Sequence, residues 1–121
     1  MAKRILIVDD AVDICSTMQE LLEAEGYEVT CTANGSEALR YLESTSALPD
    51  LILLDLMMPV LDGYAFRKEQ KKDPSLASIP IVVMTAATDP QAKANELGAQ
   101  GMLKKPFSDI ATILESIERF F

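Results

Sequence analysis

Asp9 and Asp10 close the apolar run Ile5-Leu6-Ile7-Val8, Asp55 closes Leu51-Ile52-Leu53-Leu54, and Lys105 follows Met102-Leu103-Lys104 ahead of Pro106. Carboxylate oxygens are hard donors that suit magnesium, calcium or manganese, and magnesium takes one or two carboxylates plus a phosphate oxygen while keeping several waters. A lysine ammonium is a compact charge that pairs with phosphate. A carboxylate can also attack phosphorus and become an acyl phosphate. Three acids and a lysine gathered at one place would hold a divalent cation and a phosphoryl group. Taken singly, each Asp is better read as a helix cap or turn residue. The case rests on the set.

One more residue stands close to that set in the pattern. Thr85 ends Ile81-Val82-Val83-Met84. Its hydroxyl can donate to a phosphoryl oxygen, and it can equally be a strand-favouring Thr or a cap on the next turn. Of Lys104 and Lys105, only one can reach the site, because successive strand residues face opposite sides. Pro106 favours Lys105, since an X-Pro bond at a strand end can be cis and fix where X points.

The elements that must position these residues alternate. Short, largely apolar runs read as strands buried on both faces of a parallel sheet. They fall at 4–8, 51–54, 81–84 and 100–104, with a more polar, edge-like strand at 27–32 carrying Val29 and Cys31 on one side. Between them, Ile14, Met18, Leu21 and Leu22 give an amphipathic helix over about 12–25 that Gly26 stops. Asn34 and Glu37 have capping-box spacing for a second helix to about 44. Asp62-Gly63 opens a third helix, which loses its periodicity at Lys71-Lys72-Asp73-Pro74. Asp89-Pro90 caps a fourth helix, weakly held because only Ala92 and Ala94 precede Leu97 on its apolar side. Ser108 is the expected cap of a last helix bearing Ile110, Ile113, Leu114 and Ile117, a stripe that Phe120 or Phe121 extends. Alternating strand and helix make a three-layer α/β sandwich. In such sheets ligands bind beyond the carboxyl ends of the strands, where all these acids stand.

Bulk properties narrow the function. The 121 residues fit one domain, spanning 1–121, with an ordinary apolar share of 49%. A net charge of −8 argues against direct contact with nucleic acid or an anionic membrane surface. The apolar run after Met-Ala-Lys-Arg is too short for a signal sequence, and no segment is long enough to span a bilayer. There is no histidine, which excludes Ser-His-Asp and Cys-His catalysis and a His metal site. Cys15 and Cys31 lie in no C-x-x-C motif and are expected as buried, reduced thiols, which points to the cytoplasm.

Together, Ile7-Val8-Asp9-Asp10, Asp55-Leu56-Met57-Met58-Pro59 with Asp62-Gly63 behind it, Thr85-Ala86 and Lys105-Pro106-Phe107 resemble the receiver domain of bacterial response regulators, from first strand to last helix. The resemblance implies a doubly wound, five-stranded parallel (βα)5 fold of strand order 2-1-3-4-5; the chemotaxis protein that exemplifies this order belongs to the same family. It implies that Asp55 is the phosphoacceptor of a two-component signalling switch rather than of a metabolic enzyme. Asp10, Asp55 and the Met57 carbonyl would bind Mg2+ (or Mn2+), with Asp9 acting through water. Lys105 would pair with the phosphate and Thr85 would close on it. The donor would be a phosphohistidine on a sensor histidine kinase or histidine phosphotransfer protein. The readout, toward an effector protein or output domain, would be the face of fourth helix, last strand and fifth helix. Met102 stands where members commonly carry an aromatic, either as a partner to Thr85 or as a plain core residue, and Ala11 stands where many carry a larger polar group.

Three rival functions are weaker. A small-molecule phosphatase working through an aspartyl phosphate commonly has Asp-x-Asp after its first strand and a cap insertion; here the acids are adjacent and the chain has no room for a cap. A docking-only module would not need Asp10, Asp55, Thr85 and Lys105 together. A flavodoxin-like cofactor binder would carry a Gly/Ser-rich loop after the first strand. Whether the domain stands alone or was cut from a longer regulator is left open by the sequence.

Overall fold

A computed structural model describes residues 3–107 and 109–121. Five parallel strands form one sheet: β1 (Arg4–Val8), β2 (Glu28–Thr32), β3 (Leu51–Asp55), β4 (Ile81–Thr85) and β5 (Gly101–Lys104), in the order β2-β1-β3-β4-β5. Six helices connect and flank them: α1 (Val12–Ala24), α2 (Gly35–Ser44), α3 (Gly63–Lys72), α4 (Pro74–Ala77), α5 (Pro90–Leu97) and α6 (Ile110–Glu118). The expected α/β architecture and strand order hold. The expected fourth and fifth helices are α5 and α6. The single turn α4 was not expected; Asp73 caps it by accepting from the Ser75 amide, and Pro74 takes its first position.

The sheet is apolar on both sides because helices cover both. In β1, Leu6 and Val8 face the layer that contains Ala38, Phe66 and Leu97, while Ile5 and Ile7 face the layer that contains Met18, Leu22, Ile113 and Ile117. β3 repeats the alternation, with Ile52 and Leu54 on the first side and Leu51 and Leu53 on the second. All eight are within 1% of complete burial, each contributing about 1.5–3 kcal/mol relative to exposure. That leaves β1 and β3 no freedom to slide, since a one-residue slip would exchange the faces and carry Asp9 and Asp55 away from each other.

Side chains close the starts of α2, α3, α5 and α6. Asn34, Asp62, Asp89 and Asp109 accept from the amides of Glu37, Ala65, Ala92 and Thr112 at 2.9, 2.9, 3.1 and 2.7 Å. Asp109 is thus the cap of α6; Ser108, expected in that role, lies outside the described residues. Ile110 is exposed and Phe120 packs against the α1/α6 layer, so the apolar stripe of α6 begins at Ile113.

The cysteines require a correction. Cys15 in α1 and Cys31 in β2, expected as separate thiols, form a disulfide with Cα atoms 6.1 Å apart. Periodicity placed each on the correct element. It could not give the distance between a helix face and the strand beneath it.

Only Ala94 and Leu97 of α5 are buried, as its composition implied. Its C-terminal end is nevertheless held. Arg67, itself buried, donates from Nε to the Leu97 carbonyl at 2.9 Å and from Nη2 to the Gly98 carbonyl at 3.0 Å, and Nη1 donates to Gln70 Oε1 at 2.8 Å. Gln70 in turn donates to the carbonyls of Leu76 and Ile79 at 2.8 and 3.2 Å. Burial pushes the guanidinium pKa down, and the carbonyl dipoles at the helix end supply the compensating field. Replacing Arg67 with Ala should destabilise the chain by roughly 2–3 kcal/mol, because it strands two buried acceptors, the Leu97 carbonyl and Gln70 Oε1. Urea denaturation measures this; an unchanged midpoint would show that water replaces the guanidinium without cost.

Candidate functional site

The sheet order brings the acids together. β1 and β3 are neighbours, with Ile5 opposite Leu51 through to Val8 opposite Leu54, so Asp9, the next residue, arrives beside Asp55. The Asp9 amide donates to the Thr32 carbonyl at 3.0 Å, fixing the segment to the end of β2. On the other flank the Lys105 amide donates to the Thr85 carbonyl at 2.8 Å, fixing it to the end of β4. Behind Asp55 the chain turns tightly. A Cβ on Gly63 would stand 2.5 Å from the Asp55 carbonyl oxygen and 2.8 Å from the Leu56 Cα, so only glycine lets α3 start against this backbone.

Asp9, Asp10 and Asp55 each offer a carboxylate oxygen within 4.8 Å of the others. Lys105 Nζ donates to Asp9 Oδ2 at 2.7 Å and lies 3.6 Å from Asp55 Oδ1. Asp9 Oδ1 accepts from the Ala11 amide at 2.9 Å, so both Asp9 oxygens are engaged. Asp55 is poorly served by comparison: its closest donors are the Met57 amide at 3.4 Å and the more distant Lys105. Burial, first, and the charges of Asp9 and Asp10 push its pKa up to about 6, against the opposing pull of Lys105 and the Met57 amide. Three carboxylates and one ammonium leave two negative charges when all are ionised. An oxygen-only donor set with that residue of charge fits a hard divalent cation. It fits a thiolate- or imidazole-seeking metal poorly.

The other expected residues stand nearby in different states. Lys104 is exposed and Lys105 is half-buried over the acids, as the strand alternation implied. The Lys105–Pro106 peptide is cis. Thr85 is buried, and its Oγ1 accepts from the Ala87 amide at 3.1 Å, so it caps the turn after β4 here. Met102 is half-buried in the wall of a cavity of about 330 Å3 shared with Pro106, Phe107 and Thr112. Met57 and Val60 are exposed on the loop after Asp55. Val60 has φ of 69°, a left-handed conformation that costs a β-branched residue energy and that no residue pattern foretold. Sequence reasoning also missed the direction of Lys105, whose closest partner is Asp9 rather than Asp55.

Comparison with known proteins agrees with this geometry. The family model described as "Response regulator receiver domain" matches residues 5–118. The chain is 41% identical over 108 residues to the probable transcriptional regulator ycf27 of Cyanophora paradoxa, covering 88% of this chain and 43% of that protein. It is 37% identical over 124 residues to the response regulator PleD of Caulobacter vibrioides, covering 99% of this chain and 27% of that protein. The chain therefore spans less than half the length of these relatives. Among solved structures, the chemotaxis response regulator CheY4 of Vibrio cholerae superposes with a TM-score of 0.88 at 33% identity, covering 100% of both chains. Sheet order, acid cluster and family match lead to one conclusion: the chain belongs to the response regulator receiver domain family of two-component signalling.

Proposed function

We propose that residues 1–121 act as a phosphoryl-accepting switch whose acceptor is Asp55. The observation that carries this reading is the position of Lys105 Nζ, 2.7 Å from Asp9 and 3.6 Å from Asp55, over an acid cluster that retains two negative charges. Asp55, buried and served only by the Met57 amide at 3.4 Å and Lys105 at 3.6 Å, stands at the carboxyl end of a central strand, where ligands of such sheets bind. An Asp55 oxygen attacks the phosphorus of a phosphohistidine on a partner histidine kinase or phosphotransfer protein. The phosphorus–nitrogen bond breaks and the imidazole leaves with its electron pair. This chain has no histidine to act as its own donor. Lys105 then lies within reach of the transferred group and neutralises part of its charge.

Asp10, Asp55 and the Met57 carbonyl are the proposed ligands of Mg2+ (or Mn2+), with Asp9, whose oxygens are already engaged, acting through water. When bound, the ion supplies charge neutralisation between the acceptor carboxylate and the phosphoryl oxygens. Thr85 releases the Ala87 amide and donates its hydroxyl to the new phosphoryl oxygens. That movement shifts the turn after β4 and α5, which buries only two of its residues, and so alters the α5–β5–α6 face offered to an effector or output domain. Met102 lies on that face and is placed to follow the change. The setting proposed is cytoplasmic; among the described residues no helix is long and apolar enough to cross a membrane.

Incubation with acetyl phosphate and magnesium, followed by intact mass and peptide mapping, tests the acceptor. One phosphoryl group on Asp55 is expected, and Asp55→Asn should take up none while remaining folded; uptake that survives the substitution would move the acceptor elsewhere. Magnesium at tenfold its Kd should stabilise the chain by about 1.4 kcal/mol, seen as a raised Tm relative to chelator. An unmoved Tm would remove the metal. The pH dependence has a definite sign. Asp55 has a higher pKa folded, about 6, than its ordinary 3.8, so the folded chain holds the proton more tightly. Metal-free stability from this group is complete below about pH 4 and is lost as pH rises through 6. Asp55→Asn lacks that loss and should be more stable than the native chain at pH 7 by about 1–2 kcal/mol, the gap closing toward pH 4. Denaturant titrations at the two pH values measure it; a gap that widens on acidification would contradict the raised Asp55 pKa.

A further inference from the structure

The phosphoryl site makes no use of the two sulfurs beside it. Cys15 lies in the first turn of α1 and Cys31 in the edge strand β2, and both line an open cavity of about 220 Å3 whose walls include Asp9, Asp10, Gln19 and Glu37. Each end of the bridge is within two hydrogen bonds of Asp9. Cys31 precedes Thr32, whose carbonyl accepts from the Asp9 amide at 3.0 Å. The Cys15 amide donates to the Ala11 carbonyl at 3.1 Å, and the Ala11 amide donates to the Asp9 carboxylate at 2.9 Å. The bridge therefore closes a ring that runs from Cys31 through Thr32, Asp9 and Ala11 to Cys15.

We propose that Cys15 and Cys31 are a reversible dithiol–disulfide modification site, and that the bridge stiffens the segment presenting Asp9 and Asp10. The effect on cation affinity rests on the metal reading above; the modification itself does not. In a reducing compartment the resting state is the dithiol, and a disulfide there is a transient, redox-driven state. The cavity admits a small, uncharged peroxide, while its acidic walls repel anionic disulfides. Cys31 is the more exposed of the two and attacks first. Its thiolate bonds to one peroxide oxygen, the O–O bond breaks, and one water leaves after protonation, giving the sulfenic acid. The Cys15 sulfur then displaces the hydroxyl as a second water. In sum two thiols and one hydrogen peroxide become one disulfide and two waters. A small thiol reverses the change through a mixed disulfide at Cys31.

A bridge that holds both the β2 and α1 anchors of Asp9 reduces local opening of that segment. Any factor by which it changes magnesium affinity must equally shift the redox equilibrium when magnesium is bound. The full chain, reduced and then treated with hydrogen peroxide, should lose the mass of two hydrogens and regain it with dithiothreitol. Amide exchange at Asp9 and Ala11 should slow by about threefold or more in the oxidised form. Titration with magnesium chloride should give affinities for the two forms that differ by a similar factor. Cys15→Ser under peroxide should gain oxygen at Cys31 and keep its exchange rates. Intermolecular dimers in place of the internal bridge would overturn the proposal, as would an internal bridge with unchanged exchange at both amides. Magnesium bound by neither form, with the exchange effect present, would remove the metal reading and leave the modification site supported.

Discussion

The repulsion among Asp9, Asp10 and Asp55, only partly relieved by Lys105, is the constraint on which the site depends. Carboxylates held this close are costly in a buried setting, and a chain selected for stability alone would place apolar side chains there. Two of the three are buried all the same. The lysine satisfies Asp9 and leaves Asp55 short of donors, and burial first, with the Asp9 and Asp10 charges, holds the Asp55 pKa up at about 6. A cation or phosphoryl group entering the site would relieve a group left in that condition, which is what the proposed switch requires.

The sheet exists, in functional terms, to hold that repulsion in place. Parallel strands buried on both faces cannot slip, so the residues just beyond their carboxyl ends keep their mutual distances while the loops around them vary. The loop after Asp55 carries an unusual Val60 conformation and the turn after Thr85 is closed by a single hydroxyl. Arg67 sets the opposite boundary: by binding the Leu97 and Gly98 carbonyls it fixes the C-terminal end of α5, so the movement proposed above falls to its N-terminal end.

Much of this was legible in the residues. Ile5 to Val8 and Leu51 to Leu54 announce buried strands by composition alone, and an acid that ends such a run announces a strand-end site. Strand order came from family resemblance, because periodicity says which residues share a face but not which strands are neighbours. Contacts between distant segments were hidden for the same reason. The Cys15–Cys31 pairing, the choice of Asp9 by Lys105 and the carbonyl partners of Arg67 all depend on how helices sit over strands. Val60 was hidden by a different cause, since its conformation runs against its own preference and is imposed by the loop.

The most direct test of the central claim is to follow the Asp55 side-chain carboxyl by carbon-13 NMR as pH is varied, first without metal and then with saturating magnesium. The account predicts a midpoint near 6 without metal, falling below the ordinary carboxylate value when the ion binds. An ordinary midpoint that magnesium leaves unmoved would mean that the acids neither repel one another appreciably nor share a cation, and the switch built on them would fail.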